Sequence, residues 1–144
     1  MASDRCTCSL INPTDNFAPP KTFTFDGVYF INSTTESIYN EIASPLVEGV
    51  LEGYNGTVFA YGQTGCGKSF SMQGVEDPPS QRGIIPRAFE HIFEAISLVE
   101  NIKYLILASY LEIYNEEIRD LLAMDHKKKL DLKESGDRGV YVNE

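Results

Sequence analysis

The sequence predicts an α/β fold, a sheet carrying helices on its faces, and three observations point to it. Strand-type and helix-period segments alternate along the chain. A short, nearly continuous apolar run, Thr57-Val58-Phe59-Ala60-Tyr61, opens directly into a glycine-rich loop, Gly62 to Ser69. The chain has 144 residues, 42% hydrophobic and 23% charged, the balance of a folded globular protein rather than a disordered one. That length suits one domain with one core, in which about two-thirds of the unfolded surface is buried.

Residues 1–20 read as irregular, being small and polar with Pro13, Pro19 and Pro20 and no period. Thr22 to Asp26 alternates apolar and polar residues, as a half-exposed strand does. Ser33 to Glu36 fits a capping box, with Ser33 as N-cap. Beyond it Ile38, Ile42, Leu46 and Val50, joined by Val47, Leu51 and Tyr54, predict one apolar helical stripe. Pro45 should bend that helix or mark its true start, and Gly53 should end it before a turn at Asn55-Gly56.

Thr57 to Tyr61 suits a strand covered on both faces. A loop rich in proline, glycine and acid follows from Gly74 to Gly83, and Pro86 then sits near the first turn of a helix lined by Phe89, Ile92, Phe93 and Ile96. Ile102 to Ile113 reads as a central strand and Tyr114 to Leu122 as a short helix. Leu130 to Leu132 and Val140 to Val142 read as two short strands joined by a turn at Gly136 to Gly139.

Charge narrows the partners. Twelve Lys and Arg against 21 Asp and Glu give −9 at neutral pH. Neutralising nucleic-acid phosphates needs the opposite surplus, and an anionic membrane surface is disfavoured by the same sign. No apolar run approaches the ~20 residues that cross a bilayer. Met1 to Leu10 lacks the apolar stretch of a secretory signal, so a reducing intracellular setting is expected for Cys6, Cys8 and Cys66. Cys6 and Cys8 hint at metal, but the only histidines, His91 and His126, lie far off and a four-ligand zinc site has no evident supply.

The chemistry concentrates in Gly62-Gln63-Thr64-Gly65-Cys66-Gly67-Lys68-Ser69, which satisfies G-x-x-x-x-G-K-[ST] in full. Glycines let the backbone enter conformations barred to other residues and bring its N–H groups against a polyanion. Lys68 is the candidate cation for β- and γ-phosphates. Ser69 is the candidate Mg²⁺ ligand and opens a helix. These eight residues and Phe70 are the candidate site for ATP with Mg²⁺. The plainer reading is a chance glycine-rich turn; the strand before and the helix after weigh against it. Phe70 either packs beside the nucleoside or points into the core. Cys66 either fills the loop as a small residue or offers a thiol whose alkylation blocks nucleotide binding.

A catalytic set is not evident. Hydrolysis at such a loop needs a second Mg²⁺ anchor, usually an Asp ending an apolar strand, and a group that positions water. The run Leu105 to Ile113 carries Glu112 but continues into Tyr114-Asn115; Leu130-Asp131-Leu132 is short, and Asp137-Arg138-Gly139 reads as a turn. Glu112, Glu116 and Glu117 read as solvated or strand-end charges.

The loop and its approach, Tyr54 to Ser69, resemble the phosphate-loop region of the kinesin motor domain. So do Phe25-Asp26-Gly27-Val28-Tyr29, Gly83 to Phe89, Ser109 to Glu116 and Asp120-Leu121-Leu122, in the family's order. The likeness runs over residues 21–144, and Pro78 to Phe93 is most similar to the kinesin-2 class, in particular its homodimeric ciliary type. The resemblance implies a P-loop NTPase fold with a mixed sheet flanked by helices, here incomplete, and an ATP-dependent motor on microtubules. It further implies a cytoplasmic, cytoskeletal setting, with the cilium as one station, and an unspecified cargo. Residues 1–20 lack the family's Arg-x-Arg-Pro-like segment, and the two switch motifs do not occur before Glu144. The isolated chain is therefore expected to show no microtubule-stimulated ATPase and to expose apolar surface. The alternative is a non-catalytic nucleotide-binding or interaction fragment; the flanking motifs weigh against an unrelated P-loop kinase.

Overall fold

The computed structural model describes residues 5–15, 17–125, 127–137 and 139–143. His126, weighed above as a metal ligand, and Arg138, at the expected hairpin tip, lie outside the described residues. The chain divides into two compact units, Met1–Glu100 and Asn101–Glu144.

The first unit opens with an antiparallel ribbon of β1 (Thr7–Leu10) and β2 (Lys21–Thr24), registered Thr7 opposite Thr24 and Leu10 opposite Lys21. Phe25 N–H to Cys6 O (2.8 Å) and Val28 N–H to Arg5 O (2.6 Å) prolong it. The stretch expected to be irregular thus contains a strand at Thr7–Leu10. Its composition carries no period because the ladder to β2, not a buried face, defines it.

A continuous helical run follows: α1 (Thr35–Ile38), a π turn (Tyr39–Ala43) and α2 (Ser44–Leu51). The cap falls one residue later than expected. Thr34 accepts from Ser37 N–H at 3.0 Å, and Ser37 Oγ accepts from Thr34 N–H at 3.2 Å. Ser33 is unavailable because its hydroxyl accepts from Phe30 N–H in the preceding turn.

In the π turn Ser44 N–H reaches back five residues to Tyr39 O. Pro45, at the second position of α2, has no N–H to give and would press on the carbonyl four residues before it; the wide turn relieves that conflict. The extra residue also rotates the helix. Tyr39, Ala43 and Val47 are buried, whereas Ile42, Leu46 and Val50 of the predicted stripe stay about two-fifths exposed. Gly53, at φ +104°, ends α2 as expected.

The buried stripe packs on α4 (Ile84–Ser97), where Pro86 occupies the first turn as predicted. His91 bridges the helices. Its Nδ1 lies 2.9 Å from Tyr39 Oη, its Nε2 lies 2.8 Å from Glu48 Oε1, and the Tyr39 ring meets it edge-on at 6.3 Å.

In the second unit β3 (Leu111–Tyr114), β4 (Glu117–Asp120), β5 (Lys129–Ser135) and β6 (Gly139–Asn143) form an antiparallel meander in chain order. The expected short helix at Tyr114 to Leu122 is instead a two-residue hairpin. Asn115 and Glu116 adopt φ +49° and +60°, the left-handed pair whose twist matches the flanking strands. The β5–β6 hairpin agrees with its expectation.

Two expected central strands carry no ladder. Thr57 to Tyr61 and Ile102 to Ser109 carry no ladder bonds among the described residues; of the second run only Leu111–Tyr114 joins a sheet, which Leu121 N–H to Tyr110 O (2.8 Å) prolongs by one residue. Phe59, Leu105 and Leu107 are all more than 80% exposed. All strand pairings among the described residues are antiparallel. An apolar run specifies a segment able to enter a sheet, but a strand also needs a hydrogen-bonded partner, and neither run forms a ladder before Tyr110 among the described residues.

Candidate nucleotide-binding site

The loop from Gly62 to Gly67 leads into α3 (Lys68–Met72), the helix expected after it. Gly62, Gly65 and Gly67 hold φ of +151°, +81° and +95°, so the backbone is left-handed at each glycine of the pattern. A Cβ at Gly65 or Gly67 would meet nothing within 4 Å, whereas one at Gly62 would lie 2.5 Å from Cys66 Sγ. Gly62 therefore makes room for the Cys66 thiol, and the other two provide the turn.

Lys68 folds back over the loop. Its Nζ donates to Gly62 O at 2.8 Å and Gln63 O at 2.7 Å, and stands 4.0 Å from Cys66 Sγ. The Cys66 N–H donates to Gln63 O at 3.3 Å. The amides of Gly65, Gly67, Lys68 and Ser69 have no protein acceptor among the described residues, and neither has the exposed Ser69 hydroxyl a partner. Unpaired donors facing solvent beside a cation are the chemistry that takes up an anion. The residues present thus fit a polyphosphate, with Ser69 as the oxygen available to a hard cation.

Gln63 and Thr64 complete the exposed crest of the loop. Phe70 is 47% exposed, so it does not enter the core of its unit. The structure brings all nine candidate residues together in one stretch.

Gly74 to Gly83 reads in the sequence as a plain loop, yet it clamps the far end of α3. Gly83 N–H donates to Gln73 O at 3.0 Å and Val75 N–H to Gln81 O at 3.1 Å. A Cβ at Gly83 would sit 2.5 Å from the Met72 carbonyl carbon, and one at Gly74 would collide with the backbone of Gln81 and Gly83. Arg87 on α4 holds the same loop through the carbonyls of Pro79 and Arg82, both at 3.1 Å. The signal lies in the two glycines that bound the segment: both approach backbone closely, and Gly74 is also left-handed at φ +69°.

The acids behave as expected of structural charges. Glu117 on β4 pairs with Lys129 (2.5 Å) and Arg119 (2.7 Å), which hold its carboxyl below the ordinary carboxylate value. Glu116 occupies the hairpin turn, and Glu112 stands opposite Arg119 in the ladder. In the first unit Tyr29 and Arg5 each donate to Glu41 at 2.9 Å and lower its carboxyl, while burial and then Glu41 raise the Tyr29 phenol. Burial likewise raises the Tyr39 phenol. Among the described residues no group of His, Cys, Asp or Glu is arranged to hold a metal, and no helix is long and apolar enough to cross a membrane.

The kinesin motor domain family model matches residues 4–144. Kinesin-like protein KIF3C of Bos taurus is 58% identical over 125 residues, covering 87% of this chain and 16% of that protein. The same protein of Mus musculus is 57% identical over the same coverage. These relatives place the likeness in the kinesin-2 class. A solved structure of a fast kinesin superposes with a TM-score of 0.84 at 43% identity, over 99% of this chain and 39% of that one. The chain spans about one-sixth of the length of the curated relatives it matches, and its fold is a kinesin motor fold in incomplete form. By its loop, its order of elements and its relatives, the chain belongs to the kinesin motor domain family.

Proposed function

We propose that this chain is the ATP-binding part of a microtubule-dependent motor. The observation that carries the reading is the loop itself: three glycines with positive φ, a row of amides without acceptors among the described residues, and Lys68 curled among them. Gly62 to Ser69 forms the phosphate cradle, with Gln63, Thr64 and Cys66 at its crest. Lys68 gives up two neutral carbonyl acceptors for phosphate oxygens, Ser69 holds Mg²⁺, and Phe70 flanks the nucleoside with its exposed ring. Bound ATP–Mg²⁺ supplies the phosphoanhydride whose hydrolysis drives family members along microtubules. In the whole motor this places the protein in the cytoplasm on microtubules, and the likeness to the homodimeric ciliary type proposes the cilium and a two-chain assembly. At −9 this chain by itself should bind an acidic filament surface poorly.

A second reading, a nucleotide-binding or interaction fragment without turnover, is favoured by the apolar segments at Thr57 to Tyr61 and Ile102 to Ser109, which carry no ladder among the described residues. One titration tests the loop. ATP–Mg²⁺ should bind the full chain, and Lys68→Ala should weaken binding about 30- to 100-fold, the loss of one or two charge-assisted hydrogen bonds. Unchanged affinity in the variant would sink the proposal for the loop. Microtubule-stimulated turnover by the same sample selects the motor reading over the fragment reading, and binding without turnover selects the reverse.

A further inference from the structure

Asn55-Gly56 is the one Asn-Gly pair in the chain, and it lies between α2 and the segment that enters the phosphate loop. Asn55 is exposed. Its carboxamide makes no hydrogen bond among the described residues, and the Gly56 N–H has no acceptor there either. A glycine after asparagine has no Cβ to bar its nitrogen from the asparagine side chain.

Five other asparagines of the described residues are held or blocked. Asn12 precedes Pro13, which has no N–H, and its side-chain oxygen accepts from Thr14 N–H at 3.0 Å and the Thr14 hydroxyl at 2.8 Å. Asn32 precedes Ser33, whose N–H is committed to Phe30 O at 2.7 Å. Asn40 lies inside the π turn, Asn101 precedes a β-branched isoleucine, and Asn115 is fixed in the hairpin turn.

We propose that Asn55 is a site of spontaneous deamidation and backbone isomerisation. The Gly56 nitrogen loses its proton to hydroxide and attacks Asn55 Cγ. The new C–N bond closes a five-membered succinimide, and the carboxamide nitrogen leaves as ammonia. Water then opens the ring at either carbonyl, giving aspartate with the original linkage or isoaspartate linked through the side-chain carbon. No oxidant is involved: one amide is exchanged for one carboxylate, adding a negative charge.

The isomer also lengthens the main chain by one methylene where there is little slack. A Cβ at Gly56 would lie 2.8 Å from Val50 Cγ2 and 3.5 Å from Leu46 O, so the backbone is already seated on α2. The added atom displaces the stretch that carries the chain from α2 to Gly62.

Incubating the full chain in mildly alkaline buffer at body temperature, natively and in denaturant, and mapping peptides by mass spectrometry tests this. At Asn55 the one-dalton gain should accumulate about tenfold faster than at Asn32, and the native rate should stay within about tenfold of the denatured rate, because no hydrogen bond restrains the pair. Asn55→Gln should remove the signal. A native rate further below the denatured one, or an Asn32 that reacts as fast, overturns the proposal.

Discussion

In the helical region from Thr35 to Ser97, three apolar side chains at four-residue spacing, Tyr39, Ala43 and Val47, are buried against α4, and His91 ties them to Glu48. In the meander from Leu111 to Asn143, Ile118 alone among the described residues is as deeply buried. The meander is held instead by its ladders, by a hairpin with both central residues left-handed, and by Glu117 between Lys129 and Arg119. One region is specified by packing and the other by backbone geometry. They should therefore fail under different substitutions.

The largest effect belongs to the packed region. Tyr39→Ala should cost about 3–5 kcal/mol in a denaturant titration, the range for deleting a buried aromatic ring. Tyr39→Phe, which keeps the ring but leaves His91 Nδ1 without its partner, should cost about 1 kcal/mol. Leu132→Ala in β5, with its side chain 62% exposed, should stay within about 0.5 kcal/mol. A Tyr39→Ala no more costly than Leu132→Ala would erase the contrast between the regions.

What was legible in the sequence follows the same division. The conformation of the loop from Gly62 to Ser69 is legible in the sequence because its glycines act through local backbone geometry. The end of α2 at Gly53, the start of α4 near Pro86 and the β5–β6 hairpin were readable for the same reason. The helical stripe is legible in part: Val47 is buried as expected, whereas Ile42, Leu46 and Val50 stay exposed while Tyr39 and Ala43 are buried, in a helix whose π turn before Pro45 changes its phase. Thr57 to Tyr61 and Ile102 to Ile113 read as strands from composition, yet only the end of the second pairs, because pairing is a property of two segments and composition describes one. β1 failed in the opposite sense: nothing in Thr7 to Leu10 announces a strand until β2 lies beside it. The clamp formed by Gly74 and Gly83 depends on a close approach that no local pattern encodes.

A smaller effect, of opposite sign, tests the hairpin. Glu116 at φ +60° sits in a region that costs a side-chain-bearing residue about 1–2 kcal/mol. Glu116→Gly should stabilise the chain by about 1 kcal/mol, read as a higher denaturant midpoint at unchanged slope. Were Tyr114 to Leu122 the short helix that the sequence suggested, the same change would destabilise by about 1 kcal/mol. The sign alone decides.

The smallest effect compares the two anchored carboxylates. Glu41 receives hydrogen bonds from Tyr29 and Arg5, and Glu117 from Lys129 and Arg119, so both carboxyls sit below their ordinary value of 4.5 in the folded chain. A lowered carboxyl binds its proton more readily in the unfolded chain. Each anchor therefore adds stability above about pH 4.5, lost as pH falls through the lower folded value. Arg5 is 66% exposed and Lys129 62%, so solvent and salt screen both pairs. Following the unfolding midpoint from neutral pH into acid should show a fall that is shallower in Glu41→Gln and in Glu117→Gln, and shallower again in high salt. The two variants should differ in where they act. Amide exchange should quicken in β1 and β2 for Glu41→Gln, because Arg5 accepts the Val28 N–H that prolongs that ribbon. For Glu117→Gln it should quicken in β4 and β5, which the Lys129 bridge joins. Acid sensitivity that survives both substitutions would mean that other carboxylates carry it, and that neither region depends on its anchor.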